Sequence, residues 1–322
     1  MEIFNHDSKI DFLRLRTISL TVSAILLLVS IGALVTRGLN YALDFTGGVL
    51  VEASYHEQPD IDGVRGALEA GGFHNAQVVQ YVGTNDIAIR LQLAEAGSAK
   101  NETGDDLKKM NEVADNVIAA LKAKTPDVTK KSASFVSASV GEELKSDGIV
   151  AVIFVILGIM IYIGIRFEWR FAIAAIASEF HDTIIVLGFY ALTHREFDVN
   201  VLASVLAVVG YSINDKVVVF DRVRELFRSA RRAEPIEVLN KAINSTLSRT
   251  IITALFTAIT MIALYLFGGP AVHGFALTMV IGIIVGTLSS IFFASPILYW
   301  LGVSKKDLMP VTRDNSELMR RP

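Results

Sequence analysis

Apolar residues gather into six stretches along the 322-residue chain, at about 18–36, 148–165, 171–192, 199–220, 250–267 and 273–299. Each approaches the roughly 20 residues a helix needs to cross a hydrocarbon core of about 30 Å. The first reads as a retained span, because its apolar run is followed by no small-x-small cleavage site. Between the first two spans, residues 37–147 follow other periods. Val49–Tyr55 alternates apolar and polar positions as a strand does. In Pro59–Ala70, Ile61, Val64 and Leu68 recur at helical spacing, with Pro59 where a first turn tolerates it and Gly71-Gly72 as the stop. Gln77–Val82 and Ile87–Leu93 predict two strands about a Gly-Thr-Asn-Asp turn. A soft linker over 94–103 leads into a helix over about 104–124, with Leu107, Val113, Val117, Ile118 and Leu121 on one face. Ser132–Val140 predicts a last strand. The order β-α-β-β-α-β is ferredoxin-like. The expected fold class is thus membrane α-helical, six transmembrane helices, with an α+β ferredoxin-like domain outside the membrane.

Composition agrees: 52% of residues are hydrophobic and 20% charged, with a mean hydropathy of +0.47. The charges are segregated, so the net charge of −3 averages two unlike sides. Lys9, Arg14 and Arg16 precede the first span, and Arg166 and Arg170 follow the second. Arg222, Arg224, Arg228, Arg231, Arg232, Lys241 and Arg249 fall in the connection 221–249. Lys305, Lys306, Arg313, Arg320 and Arg321 fall in the tail 301–322. The opposite short loops hold Arg195 alone. Excess Lys and Arg marks the cytoplasmic side, so the N-terminal 1–17, the basic loop 221–249 and the tail are expected there. There is no cysteine, so no disulfide holds the domain together. No Cys nucleophile, G-x-S-x-G, P-loop or His pair at metal-ligand spacing is present. No enzyme activity, metal, cofactor or nucleic-acid partner is expected.

Polar residues inside the spans carry the candidate chemistry. Asp215 lies in VLASVLAVVGYSINDKVVVF, where a mid-helix acid costs about 2.5–3.5 kcal/mol on the most lenient scale. Tyr211 and Ser212 share its face, and Gly210 is expected to let another backbone approach. Arg249, at the entrance of the fifth span, is its expected partner. Lys216 points about 100° from Asp215 and is expected to snorkel to the headgroups. The third span holds Glu179, His181 and Asp182, three ionisable side chains near mid-membrane, with Glu179 and Asp182 three apart on one face. A structural ion pair, or a helix–helix hydrogen-bond clasp, remains open as the competing reading. In the sixth span Gly274, Thr278, Gly282, Gly286, Ser290 and Ala294 recur every four residues, a stripe that favours close helix packing.

The segments LDFTGGVLVE (Leu43–Glu52), VVGYSINDKVVVFDRVRE (Val208–Glu225), NSTLSRTIIT (Asn244–Thr253) and GFALTMVIGIIVGTLSSIFFASP (Gly274–Pro296) resemble, in order, four motifs of the SecD/SecF family of bacterial protein-export membrane proteins. The fourth-span segment looks like that of the SecF branch. The resemblance covers about 38–300. It implies an inner-membrane protein with its large domain in the periplasm, forming half of a twelve-span unit related to resistance-nodulation-division transporters. It also implies a SecD partner, the SecYEG channel, YajC and YidC as associated proteins, unfolded polypeptide as substrate, and protons as the driving ion.

The family's transport Asp falls on Asp215, its fifth-span Arg on Arg249 and its His-Asp on His181-Asp182; together these make the expected proton relay. Asp44, Gly47 and Gly48, with Gly141, are expected as the joints of the outer domain. The resemblance attaches no role to Glu179 or Lys216. A non-conducting scaffold, or half of a proton-coupled small-molecule antiporter, stays open as an alternative.

Overall fold

The computed structural model describes residues 9–74, 76–80, 84–92, 106–229 and 234–304. The expected linker 94–103, the end of the Gln77–Val82 strand, Arg231, Arg232 and the basic residues of the tail lie outside the described residues. In chain order the elements are α1 (Arg16–Arg37), after a 3-10 turn at Phe12–Leu15, then β1 (Asn40–Tyr41), α2 (Leu43–Thr46), β2 (Gly48–Ser54), α3 (Ile61–Ala70), β3 (Gln77–Gln80), β4 (Asp86–Gln92), α4 (Asp106–Lys122) and β5 (Thr129–Val136). There follow α5 (Ala138–Arg166), α6 (Trp169–Thr193), β6 (Glu196–Phe197), α7 (Val199–Ser229), α8 (Pro235–Phe267) and α9 (Pro270–Ser289). A π-helical turn at Ser290–Ala294 then leads into α10 (Ser295–Trp300).

Among the described residues, six helices are long and apolar enough to cross a membrane. They divide into two layers. The apolar windows of α6, α9 and α7 are 56%, 50% and 44% buried, against 17%, 11% and 6% for α1, α5 and α8. The first three carry the polar and small residues and pack inward. The others present rows such as Ile149, Ile153, Phe154 and Leu157 outward, which costs nothing where the surroundings are hydrocarbon. Near the end of the sixth span Pro296 has no N–H to give the Phe292 carbonyl, so the ladder widens into the π turn. There Ser295 Oγ donates to Ser290 O at 3.0 Å.

The α+β domain is a four-stranded antiparallel sheet in the order β3-β4-β2-β5, the topology of a split β-α-β arrangement. Val49, Val51 and Ala53 of the central strand face Val64 and Leu68 of α3 and Val117 and Leu121 of α4. At about 25 cal/mol per Å² of buried apolar area, these residues supply the cohesion that no disulfide provides.

Two expectations need correction. The last strand ends at Val136, not Val140, because Ser137 caps a helix: its Oγ accepts from Val140 N at 3.3 Å. That cap starts α5 well before the apolar run. The connection 221–249 is not a loop. Within the described residues α7 continues to Ser229 and α8 already begins at Pro235. Val223, Phe227, Val238, Leu239, Ala242 and Ile243 continue a buried face at helical spacing and pack with Leu13, Phe167 and Phe171. Arg222, Arg224 and Arg228 lie along the same helix and mask this face in any averaged hydropathy. The 3-10 turn is bound there too, since Asn240 and Asn244 bond the backbone of Leu13 and Ile10.

Candidate functional site

The inner helices meet around Lys216. Its side chain is 0% exposed, and its ammonium donates to Asp182 Oδ2 at 2.7 Å, Glu179 Oε2 at 3.0 Å and Ser212 Oγ at 2.6 Å. Three N–H groups meet three oxygens, so the ammonium is fully satisfied. Asp182, also 0% exposed, further accepts from Ser212 and Ser289 hydroxyls, each at 2.6 Å. Its other oxygen lies 2.8 Å from His181 Nδ1. The His181 ring stacks on Phe293 with centroids 4.0 Å apart. Helical spacing explains the convergence: Glu179 and Asp182 are three apart on α6, and Ser212 and Lys216 four apart on α7, so each pair shares a face. Ser289 joins them from α9.

The small-residue stripe makes this approach possible. A Cβ on Gly282 would overlap the Val208 side chain, and one on Gly286 would come 2.6 Å from Ser212 Oγ. One on Gly274 would come 2.8 Å from Val201 Cγ2. Positions 201, 208 and 212 of α7 therefore lie against the glycines of α9. Tyr190 of α6 closes the Gly274 end of the stripe, its hydroxyl 2.6 Å from Thr278 Oγ1. Ser290 is wholly buried and bonds its own helix, donating to Thr287 O. Gly210 is the exception. A Cβ there would meet nothing within 4 Å, because it lies about 200° around α7 from both Val208 and Ser212. The expected close backbone approach at Gly210 does not occur among the described residues.

Asp215 sits beside this cluster but outside it. It is 4% exposed, and its Oδ2 has no hydrogen-bond partner. No ion pair joins it to Arg249 among the described residues, and Arg249 is exposed. The expected Asp215–Arg249 contact is therefore corrected: Arg249 acts on Asp215 only from beyond contact distance. Lys216 is corrected too. It does not snorkel but turns inward, because two carboxylates on α6 offer more than the headgroups do. Glu179 and Lys216, which sequence reasoning left without a role, are thus central. The signal was present as two polar pairs at i,i+3 and i,i+4 spacing on separate helices. Glu179 also edges a cavity of about 30 Å³ lined by Ile156, Met160, Thr183 and Val209, and its Oε1 has no partner.

The N-terminal end of α7 is tied to the α+β domain. Asp44 Oδ2 accepts from Val199 N at 3.2 Å, so a residue of LDFTGG caps a helix far along the chain. Asp198 caps the same turn through Val201 N at 2.6 Å. Strands β1 and β6 pair in parallel beside them, and Arg90 of β4 forms an ion pair with Glu196. Burial pushes the Asp198 carboxyl above its usual range; the Val201 N–H opposes this and the nearby Asp44 adds to it. Gly47 has φ 71°, a left-handed conformation suited to glycine. Gly141 lies in the first turn of α5, where a Cβ would come 3.1 Å from Gly47 N and Phe45 C. The residues expected as joints thus bring α2 and α5 into contact.

Six helices apolar enough to cross a membrane, three of which meet at a buried, charge-bearing cluster, with one α+β domain braced on the fourth, define a multi-pass membrane protein. The model for the C-terminal region of SecD/SecF protein-export membrane proteins matches residues 116–304, and that of the SecD/SecF GG motif matches 32–58. The chain belongs to the SecD/SecF family. It is 39% identical over 301 residues to the protein translocase subunit SecF of Pseudomonas aeruginosa, covering 94% of each chain. Against the SecF subunit of Escherichia coli O157:H7 it is 38% identical over 310 residues, covering 96% of this chain and 93% of that one. A crystal structure of SecDF, described as a translocon-associated membrane protein, from Thermus thermophilus superposes with a TM-score of 0.79 at 30% identity. That match covers 92% of this chain and 39% of the SecDF chain, so this chain corresponds to well under half of it.

Proposed function

We propose that this chain is a SecF-type subunit that works with a SecD partner in the inner membrane to promote export of polypeptides emerging from the SecYEG channel, driven by protons. YajC and YidC are its further associates, and both termini are cytoplasmic with the α+β domain in the periplasm. The observation that carries the reading is Asp215: a carboxylate 4% exposed, with an unpartnered oxygen, on the helix whose outer end Asp44 caps. A charge change at Asp215 alters the packing of α7, and α7 pulls on the domain through Asp44 and the β1–β6 pairing. One charge crossing 100 mV is worth about 2.3 kcal/mol, enough to bias a two-state element several tens-fold. His181 and Asp182 support the relay through their contact at 2.8 Å, and Arg249 supplies positive charge from the fifth span.

Inverted vesicles carrying the chain with its SecD partner test this. Asp215→Asn is expected to assemble normally and lose proton-driven export, while Asp215→Glu retains part of it. Full export by Asp215→Asn would sink the proposal. It would favour the scaffold reading, which has its own support in the complete hydrogen bonding of Lys216.

A further inference from the structure

The groups around the Lys216 ammonium are two carboxylates and a hydroxyl, with the Ser289 hydroxyl on the same Asp182 oxygen. Such a set of hard oxygen donors is the kind that holds a hard metal cation. Glu179 Oε1 is buried without a partner beside them, so the set has donor capacity the ammonium does not use. The ammonium is held by its own chain and all three of its N–H bonds are made. It therefore cannot leave, and no ion from solution can take its place. Three helices contribute: Glu179 and Asp182 with neighbouring His181 from α6, Ser212 and Lys216 with neighbouring Asp215 from α7, and Ser289 from α9.

We propose that Lys216 is a tethered counter-ion filling what would otherwise be a sodium site between α6, α7 and α9. The latent sodium site does not rest on the export reading above. In Lys216→Ser the cage keeps its carboxylates, gains a hydroxyl and loses its resident charge, so Na⁺ from solution enters and stabilises the folded protein by mass action.

The test is thermal unfolding of the chain co-purified with its SecD partner in NaCl or choline chloride at equal ionic strength. The wild-type midpoint is expected to be the same in both salts. The Lys216→Ser midpoint is expected to rise with NaCl and saturate, and the rise is expected to vanish in Lys216→Ser/Asp182→Asn. A Lys216→Ser protein recoverable only in NaCl supports the proposal equally. Four results overturn it: a sodium-insensitive Lys216→Ser, the same sodium shift in wild type, a shift that survives Asp182→Asn, or a Lys216→Ser protein unrecoverable in either salt. Because unfolding requires no export, loss of the export reading leaves this result standing, and a negative result here leaves the Asp215 experiment untouched.

Discussion

Replacing Lys216 by methionine removes a buried charge while nearly preserving the volume of its stem. The structure then leaves the two α6 carboxylates in unlike positions. Asp182 keeps Ser212, Ser289 and His181 as partners. Glu179 loses the bond its Oε2 accepts from Lys216, at 3.0 Å, and among the described residues its other oxygen has none. Breaking a buried pair from one side costs about 3–5 kcal/mol, most of it the penalty of the abandoned charge. Removing that charge as well, in Lys216→Met/Glu179→Gln, is expected to recover all but about 1–2 kcal/mol, the residue of lost hydrogen bonds to Asp182 and Ser212. The two substitutions should therefore couple by at least about 2–3 kcal/mol, as contacting residues do. Among the four proteins of this cycle, thermal unfolding in one detergent is expected to place wild type highest and the double variant above Lys216→Met. If the double variant unfolds no later than Lys216→Met, the ammonium does not compensate Glu179 and the charge-balance reasoning fails.

Gly282→Val should drive a side chain into Val208 and cost about 1–3 kcal/mol or more by overpacking, read as a lower unfolding midpoint. Gly210→Ala faces open space and should stabilise the isolated chain by about 0.5–1 kcal/mol; a loss would place an unseen neighbour against α7. Asp198 is held above its ordinary value of 3.8 by burial first. The folded state therefore keeps this proton longer than the unfolded state does, and stability falls as pH rises through that value. Asp198→Asn keeps a capping oxygen, so it should be neutral below about pH 3.8 and stabilising at neutral pH; unfolding midpoints across pH check the sign. Asp44→Ala should cost about 0.5–2 kcal/mol of capping and speed amide exchange at Val199. Unchanged exchange there would remove Asp44 as the link between α7 and the domain.

The six spans and the β-α-β-β-α-β order were legible because each depends on one local period, 3.6 or 2 residues. The errors lie where a local signal was outweighed. Ser137 ended a strand pattern by capping a helix, and a charged face hid the continuation of α7 to Ser229. Lys216 shows the deeper limit. Its neighbour Asp215 drew attention, but adjacent helical residues point about 100° apart, and nothing along the chain says what each one meets.

The sequence by itself therefore determined which segments are helices and strands, which of them are apolar enough for a membrane, the family, and the presence of acids and bases within the spans. Only the tertiary structure decided that Lys216 joins Glu179 and Asp182, that Asp215 and Arg249 do not touch, that Gly210 faces outward, and that Asp44 caps α7. The physical reason is one of range. Secondary structure and span length follow from neighbours within a few residues. Charge pairing and capping between segments 30 to 155 residues apart follow from helix packing, which the glycine stripe of α9 permits and the side chains of α7 set.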